Sequence, residues 1–435
     1  MTSSINNLIR FIYGDQQGAD LEKKIHALLM KAEHDIQAPT HRGKGELPLD
    51  NTDALLITYG DTLLQEGKQP LSNLRDFADA KLRDIFSGIH ILPFFPYSSD
   101  DGFSIIDYYS VNPQLGSWQE IREIGSVFKL MSDLVLNHCS AQNEWFQKFL
   151  HDDPHYKEYF ITQDKDADLS MIVRPRTHPL LTPFETDHGT EYVWTTFSAD
   201  QVDLNFANPE VLLEMIKVML FHIKNGIQII RLDAIAYLWK ELGHPSIHHE
   251  KTHAAVKLFR AILNVAAPWV VVITETNVPH AENISYFGNS DDEAHMVYQF
   301  SLPPLVLDAF RREDTRHLQQ WASELQDTLG TTTFFNFLAS HDGIGLLPAK
   351  GILSEEEIEG LVENTREQGG FINYKSTPEE RFPHEMNITY LDALAGPRCT
   401  GQCAGTQVPC RSGGDAYSAG SAGYLYSQSA WIREL

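Results

Sequence analysis

The chain has 435 residues, of which 42% are hydrophobic, so it can bury a core large enough for one big α/β domain. Its formal net charge of −25 at pH 7 argues against nucleic acid or an anionic membrane surface as a partner. No apolar run approaches the roughly eighteen residues of a membrane-spanning helix, and the N-terminus carries no secretory signal pattern, so we expect a cytoplasmic protein.

The first predicted element is an amphipathic helix within residues 1–52. The apolar positions that share one helical face are Leu21, Ile25, Leu28, Leu29 and Ala32. Charged side chains occupy the other faces. We expect the apolar face to dock on the rest of the chain or on a partner chain, which leaves a homodimer open.

Seven apolar runs further along the chain predict buried strands. They cover residues 54–59, 88–94, 132–138, 226–234, 269–277, 295–300 and 333–342. Four of these runs end in polar side chains, namely Asn137 with His138, Arg231 with Asp233, Glu275, and His341 with Asp342. In a parallel α/β barrel the carboxyl ends of the strands meet at one end, where they assemble a site from several strands. The sequence therefore predicts such a barrel, with these side chains as its candidate site.

The fourth run, GIQIIRLDA, is the most informative, because it ends in an arginine and a carboxylate. Strand alternation sends Arg231 and Asp233 to the same face. We expect the guanidinium to lower the pKa of Asp233, as a nucleophile requires, although a purely structural ion pair would have the same pattern. Glu275 follows a strongly apolar strand, which should raise its pKa. Two carboxyl groups in such different surroundings suit an acid and a base.

At this point the ordered motifs carry a resemblance. DLVLNH, GIQIIRLDA, the glutamate of ITETN and FLASHD resemble the four conserved regions of glycoside hydrolase family 13, the α-amylase superfamily, and QVDLN resembles its accessory fifth region. LITYGD, GIHILPFFPYSSDDGFSIIDY, IVRPR and SHDGIGLLPAKGIL are similar to its sucrose phosphorylase branch. The likeness covers residues 54–394, and the ordered set is far more specific than any one motif.

The resemblance implies a (β/α)8 TIM barrel with a small inserted domain after strand three. The expected parts are a helical extension at 1–52, the barrel at 53–138 and 207–394, inserted domain B at 139–206, a further insertion at 343–394, and a tail at 395–435. The tail is rich in Gly, Ser and Ala and shows no helical or strand period. Its cysteines, Cys399, Cys403 and Cys410, have no common zinc-binding spacing. We expect no metal ion and no other cofactor.

The genetic code suggests an origin for this tail. Codons for Gly414–Tyr417 and Gly420–Trp431, read one base later, are compatible with a sequence that resembles the eighth strand of the phosphorylase branch. We therefore expect a frame shift near residues 395–398. Strand eight and the C-terminal β-domain would then be absent and the barrel incomplete. An unclosed barrel would leave its edge strands unpaired, so we expect this form to be inactive.

By the resemblance, Asp233 is the nucleophile, Glu275 is the acid/base and Asp342 stabilises the oxocarbenium-like transition state. His138 and His341 would bind sugar hydroxyls. Retaining enzymes place a nucleophilic carboxylate and an acid/base carboxyl on opposite faces of the anomeric carbon, about 5–5.5 Å apart.

The loop SSDDGF after strand two would complete the sugar site. Asp100 would hold the far hydroxyls of the glucosyl ring, with Asp101 as the competing assignment and a simple turn as the plain alternative. Phe103 would stack on an apolar sugar face.

Phosphate needs a fixed cation on the acceptor side. Arg174 and Arg176 flank Pro175 in a stiffened loop, and the match to the branch's phosphate-binding loop favours Arg176.

The expected enzyme is a retaining α-glucoside phosphorylase that makes α-glucose 1-phosphate from glucosylglycerate or sucrose by double displacement. Its partners would be a small α-glucoside and inorganic phosphate. An α-glucoside hydrolase or transglucosidase is the alternative enzyme. A non-functional pseudogene product and a catalytically silent binding domain are the alternatives outside enzymes.

Overall fold

A computed structural model describes residues 2–39, 49–176, 178–289, 292–325, 332–376, 381–394 and 423–427. The strands, in chain order, are β1 Ala54–Thr58, β2 Gly88–Ile91, β3 Lys129–Val135, β4 His138–Ser140, β5 Leu181–Thr186, β6 Gly189–Trp194, β7 Gln201–Asp203, β8 Ile229–Asp233, β9 Val271–Thr274, β10 Met296–Tyr298, β11 Thr333–Phe337, β12 Ile344–Gly345, β13 Phe371–Ser376, β14 Arg381–Asn387 and β15 Gly423–Ser427. The helices are α1 Thr2–Asp35, α2 Pro70–Lys81, α3 Trp118–Gly125, α4 Glu144–Leu150, α5 Pro209–Lys224, α6 Glu250–Ala266, α7 His280–Asn283, α8 Leu302–Arg312, α9 Arg316–Glu324, α10 Glu355–Glu367 and α11 Tyr390–Leu394.

Seven parallel strands form the body of a barrel. Going around it from β1, the order is β1, β2, β3, β8, β9, β10 and β11, and each neighbouring pair is parallel. This is the TIM-barrel order that the apolar runs predict. Among the polar residues at the strand ends, Arg231 and Asp233 lie within β8, whereas Glu275 and Asp342 follow the last residues of β9 and β11.

His138 departs from the prediction in this respect. We expected strand three to end there, whereas β3 ends at Val135 and His138 begins the separate strand β4. This short strand pairs antiparallel with β7, with His138 opposite Asp203. The chain thus turns out of the barrel before His138, and the start and the end of the inserted segment are hydrogen-bonded to each other.

At the eighth position of the barrel the structure differs from the prediction that the edge strands stay unpaired. Strand β15 lies between β1 and β11 and runs antiparallel to both, with Tyr426 opposite Ala54 and Leu425 opposite Phe337. No parallel eighth strand occurs in the described ranges, as expected. The expectation that the tail supplies no replacement is wrong, because β15 closes the barrel and pairs both edges. The rest of the tail, cysteines included, lies outside the described residues.

Helix α1 docks on the outside of the barrel, as the first of the two alternatives predicted. It packs on α5 and α6, and Leu21 and Ile25 are buried in the main core. The Tyr13 hydroxyl donates to the Phe206 carbonyl oxygen at 2.8 Å. Gly14, with φ 74°, interrupts the helix. Among the residues that the structure describes, no helix combines the length and the apolar character that crossing a bilayer requires.

Both insertions follow the carboxyl ends of barrel strands. After β3, the hairpin β5–β6 packs a small cluster of Ile172, Leu180 and Trp194. After β11, the sheet β12–β14–β13 and helix α10 pack against α8 in a second core. Ser354 caps the N-terminus of helix α10, and its hydroxyl accepts from the N–H of Glu357 in a capping box. The two insertions therefore flank the barrel end at which the polar strand ends lie.

Candidate active site

The centre of the site is the guanidinium of Arg231 in β8. Its Nη1 donates to Oδ1 of Asp233 and to Oδ1 of Asp133, each at 2.6 Å, and its Nη2 lies 4.0 Å from Oε2 of Glu275. The Arg231 side chain is only 3% exposed. Arg231 and Asp233 share a face, as strand alternation predicts. One buried cation therefore holds three carboxyl groups together at the carboxyl end of the barrel.

The pKa values of the two proposed catalytic carboxyls are set mainly by burial. Desolvation raises the pKa of Glu275 to about 7, with Arg231 opposing and Asp233 and Asp342 adding to the rise. This agrees with the expectation from its apolar strand. Burial also raises the pKa of Asp233, even though Arg231 acts to lower it. Arg231 thus acts in the expected direction, but the net pKa is raised, because desolvation outweighs the ion pair and the negative charge of Asp133 adds to the rise.

Ala234 connects the two carboxyl groups through the backbone. This residue follows Asp233 directly and has φ 53°, in the left-handed region. Its N–H donates to Oε2 of Glu275 at 3.4 Å. The turn after β8 therefore aims a backbone donor at the proposed acid/base.

The loop after β2 brings Asp100 next to His138. Gly102, with φ 115°, completes the turn, and a Cβ there would lie 2.8 Å from the Pro93 carbonyl oxygen, so only glycine fits. Gln201 in β7 donates from Nε2 to Oδ2 of Asp100 at 2.9 Å, and the same nitrogen lies 3.0 Å from Nε2 of His138. Gln201 therefore joins Asp100 to His138.

Phe103, His341 and Asp342 form the opposite side of the cluster. The rings of Phe103 and His341 stack with centroids 5.3 Å apart, and Arg231 Cζ lies 5.6 Å from the Phe103 ring centre. Phe103 is 8% exposed, so protein already covers most of its surface. Asp342 is half exposed and lies 3.6 Å from the Nε2 of His341. This solvent-facing carboxylate is accessible to a ligand.

The two-arginine loop lies apart from the carboxyl cluster. The N–H of Val173 donates to the Pro245 carbonyl at 3.0 Å, which fixes the loop to the segment after β8. The Arg174 guanidinium donates to the His178 carbonyl. Burial raises the pKa of Tyr237, with Glu275 adding and Arg176 opposing, so both charges lie within electrostatic reach of that hydroxyl. Arg176 itself is exposed.

Several buried polar residues of the site escaped the sequence analysis. They are His90, Asp133, Gln201, Asp203 and Lys240. A signal existed for the first two, since His90 is the one titratable residue of β2 and Asp133 lies among apolar residues of β3. Gln201 and Asp203 lie in the QVDLN motif, but only their pairing with β4 reveals what they contact. For Lys240 the sequence offers no signal, because its acceptors come from two distant segments.

Comparison with known proteins identifies the family. Residues 82–347 match the model for the catalytic domain of alpha amylase. The chain belongs to the α-amylase family. Over 392 residues it is 57% identical to the glucosylglycerate phosphorylase of Spirochaeta thermophila, with 90% of this chain and 67% of that protein covered. Against the glucosylglycerate phosphorylase of Escherichia coli K12 the identity is 47% over 397 residues, covering 91% and 70%.

A solved structure agrees with this family. The sucrose 6F-phosphate phosphorylase from Thermoanaerobacter thermosaccharolyticum superposes with a TM-score of 0.71 at 26% identity, covering 80% of this chain and 71% of that one. The predicted resemblance to the α-amylase family and its phosphorylase branch is thereby confirmed. The present chain spans about two thirds of the length of these curated relatives.

Proposed function

We propose that this chain carries the catalytic barrel of a retaining α-glucoside phosphorylase, which moves a glucosyl group from glucosylglycerate to phosphate. The observation that carries the proposal is the pair of buried carboxyls, Asp233 and Glu275, on either side of the Arg231 guanidinium. A group with a pKa of about 7, such as Glu275, can give and take a proton near neutral pH. A partner held by an arginine can act as the nucleophile.

In the first step an oxygen of Asp233 attacks the anomeric carbon as the bond to the glycerate oxygen breaks, and Glu275 gives its proton to that oxygen. The product is a β-glucosyl ester and free glycerate. In the second step a phosphate oxygen attacks the same carbon, Glu275 takes the proton from phosphate, and Asp233 leaves as a carboxylate. Two inversions give net retention, so the product is α-glucose 1-phosphate.

Arg176 is the cation proposed for phosphate. It is exposed, its charge acts on the Tyr237 hydroxyl, on which Glu275 also acts, and its loop is fixed through Val173. A guanidinium offers phosphate two parallel N–H donors, which suits an anion that must displace the ester faster than water does.

The similarity to two proteins named glucosylglycerate phosphorylase, at 57% and 47% identity, supports glycerate as the acceptor. Sucrose is the second donor to be tested.

We further propose that residues 395–435 are read out of frame, and that a form restored to frame is the active one. The present chain, in which the five residues of β15 occupy the eighth position of the described barrel, should then be inactive.

The test uses the present chain and the form restored to frame, each with glucosylglycerate or sucrose. We expect phosphate-dependent release of glycerate from glucosylglycerate, or of fructose from sucrose, with α-glucose 1-phosphate identified by NMR of the fresh product. A β-anomer, or glucose released equally fast without phosphate, contradicts the phosphorylase and indicates a different enzyme of the family. Equal activity of the two forms contradicts the frame-shift proposal alone.

A further inference from the structure

A chain of contacts runs across three neighbouring barrel strands behind the proposed nucleophile. His90 in β2 lies with Nε2 2.8 Å from Oδ2 of Asp133 in β3. Asp133 accepts from Nη1 of Arg231 in β8 through its other oxygen, and the same Nη1 donates to Asp233. The side chains of His90 and Asp133 are both 0% exposed. The contacts therefore form one sequence, His90 to Asp133 to Arg231 to Asp233, which is buried from His90 to Arg231.

The protonation state of His90 follows from its partner. An ionised carboxylate only accepts hydrogen bonds, so Nε2 carries the proton and donates it to Asp133. His90 and Arg231 hold the pKa of Asp133 well below its usual range despite the opposing effect of burial. Burial lowers the pKa of His90, although Asp133 opposes this, so the ring is neutral.

The other ring nitrogen of His90 indicates that this side chain does more than fill space in the core. Its Nδ1 has no hydrogen-bond partner among the described residues. Leaving such a buried polar atom unpaired costs free energy of folding, a penalty that an apolar side chain of similar size would avoid. The histidine therefore costs stability on one side of its ring, which points to a use for the hydrogen bond on the other side.

We propose that His90 is a positioning residue for Asp233, acting through Asp133 and Arg231; the inference rests on the proposed function, in which Asp233 is the nucleophile. With His90 present, each oxygen of Asp133 has its own donor, so this carboxylate cannot rotate and Arg231 stays shared between two aspartates. Without that donor, the free oxygen of Asp133 recruits a second N–H of Arg231. The guanidinium then moves away from Asp233.

Loss of the hydrogen bond from His90 to Asp133 should change the pH dependence of catalysis. The groups that act electrostatically on Asp233 are Arg231, Asp133, His138 and Glu275. Weakening the Arg231 contact removes the main influence that favours the carboxylate form, so the pKa of Asp233 rises. The acid limb of kcat/KM must then move to higher pH.

Two substitutions test this in the active form of the enzyme. His90→Phe fills the space without a donor, while His90→Gln keeps an N–H that can reach Asp133. We expect His90→Phe to lower kcat about tenfold or more with a smaller change in KM, and to shift the acid limb upward. His90→Gln should recover part of both effects.

His222→Phe is the matched control. His222 is also buried, stacks on Phe95 at 4.9 Å and bonds through Nε2 to the Tyr108 carbonyl at 2.9 Å, away from the carboxyl cluster. We expect it to lower thermal stability without moving the acid limb. If His90→Phe and His222→Phe lower kcat alike and leave the limb in place, His90 only fills the core and the inference is overturned.

A second readout needs no turnover. Ring ¹⁵N NMR, with the His90 signal identified by its loss in His90→Gln, should show a ring that at neutral pH carries its proton on Nε2 and none on Nδ1. A ring that is protonated at Nδ1 at this pH overturns the inference. If neither form of the enzyme acts on a glucoside, the proposed function fails, while this NMR result still decides the His90–Asp133 contact.

Discussion

Lys240 and Asp203 form an ion pair in the protein interior, with Nζ 2.8 Å from Oδ2 and side chains that are 2% and 0% exposed. Lys240 also donates to Oδ1 of Asn137, the residue before His138. The pair thus ties the segment after β8 to the end of β3 and to β7. Burial lowers the pKa of Lys240, opposed by Asp203, so the two charges depend on each other.

The first prediction concerns this pair. Lys240→Met should destabilise the protein by about 3–5 kcal/mol, because Asp203 is left charged and buried without its partner. Urea unfolding measures the loss. The control is Lys148→Met, which removes an exposed helix pair with Glu144 and should cost less than about 1 kcal/mol. A Lys240→Met/Asp203→Leu double variant that is no more stable than the single one would show that the charge of Asp203 is not the cause.

The second prediction is the shape of the pH profile. Asp233 must be ionised to attack, so kcat/KM should fall as pH drops through its raised pKa. Glu275 must be protonated to act as the acid, so the rate should also fall as pH rises above about 7. Initial rates with glucosylglycerate at saturating phosphate between about pH 4 and pH 9 should give a bell. A flat rate up to pH 9 would remove Glu275 from the role of acid.

The third prediction separates the two carboxyl roles. Asp233→Ala should abolish turnover of every donor, because no ester can form. Glu275→Gln should lose about 10²–10⁴-fold on glucosylglycerate and much less on α-glucosyl fluoride, whose leaving group needs no proton. Rates of fluoride and glycerate release measure the difference. Glu144→Gln, at an exposed helix position, is the control and should change neither rate. Equal losses on both donors for Glu275→Gln would contradict the assignment.

The fourth prediction distinguishes the two arginines of the loop. Arg176→Ala should raise KM for phosphate about tenfold or more, since a charged hydrogen bond contributes about 1.5–3 kcal/mol, and should change KM for the glucoside less. Arg174→Ala is the matched control, because its guanidinium is already engaged with the His178 carbonyl. Steady-state kinetics with varied phosphate is the measurement. An unchanged phosphate dependence in Arg176→Ala would make that residue part of the solvated surface.

The parallel strands of the barrel could be predicted from local sequence patterns. Each apolar run from Ala54 to Phe337 became a parallel strand in the predicted order, because a strand buried on both faces needs a continuous apolar sequence whatever its neighbours are. The boundaries were less well predicted. His138 belongs to β4 and not to β3, since its partner Asp203 lies 65 residues away in sequence and no local period reports such a pairing.

For the site, the sequence alone determined which carboxyl groups follow which strands and that Arg231 faces Asp233, because strand alternation is a property of the backbone. Only the tertiary structure decided that Asp133 and His90 lie in line behind that arginine. It also decided that Gln201 joins Asp100 to His138. The balance between burial and Arg231, which sets the pKa of Asp233, likewise depends on the folded structure. The tertiary structure also decided that β15 closes the barrel in the antiparallel direction. These outcomes depend on groups far apart in the chain, and desolvation and hydrogen bonding arise only once folding brings such groups together and removes the water between them.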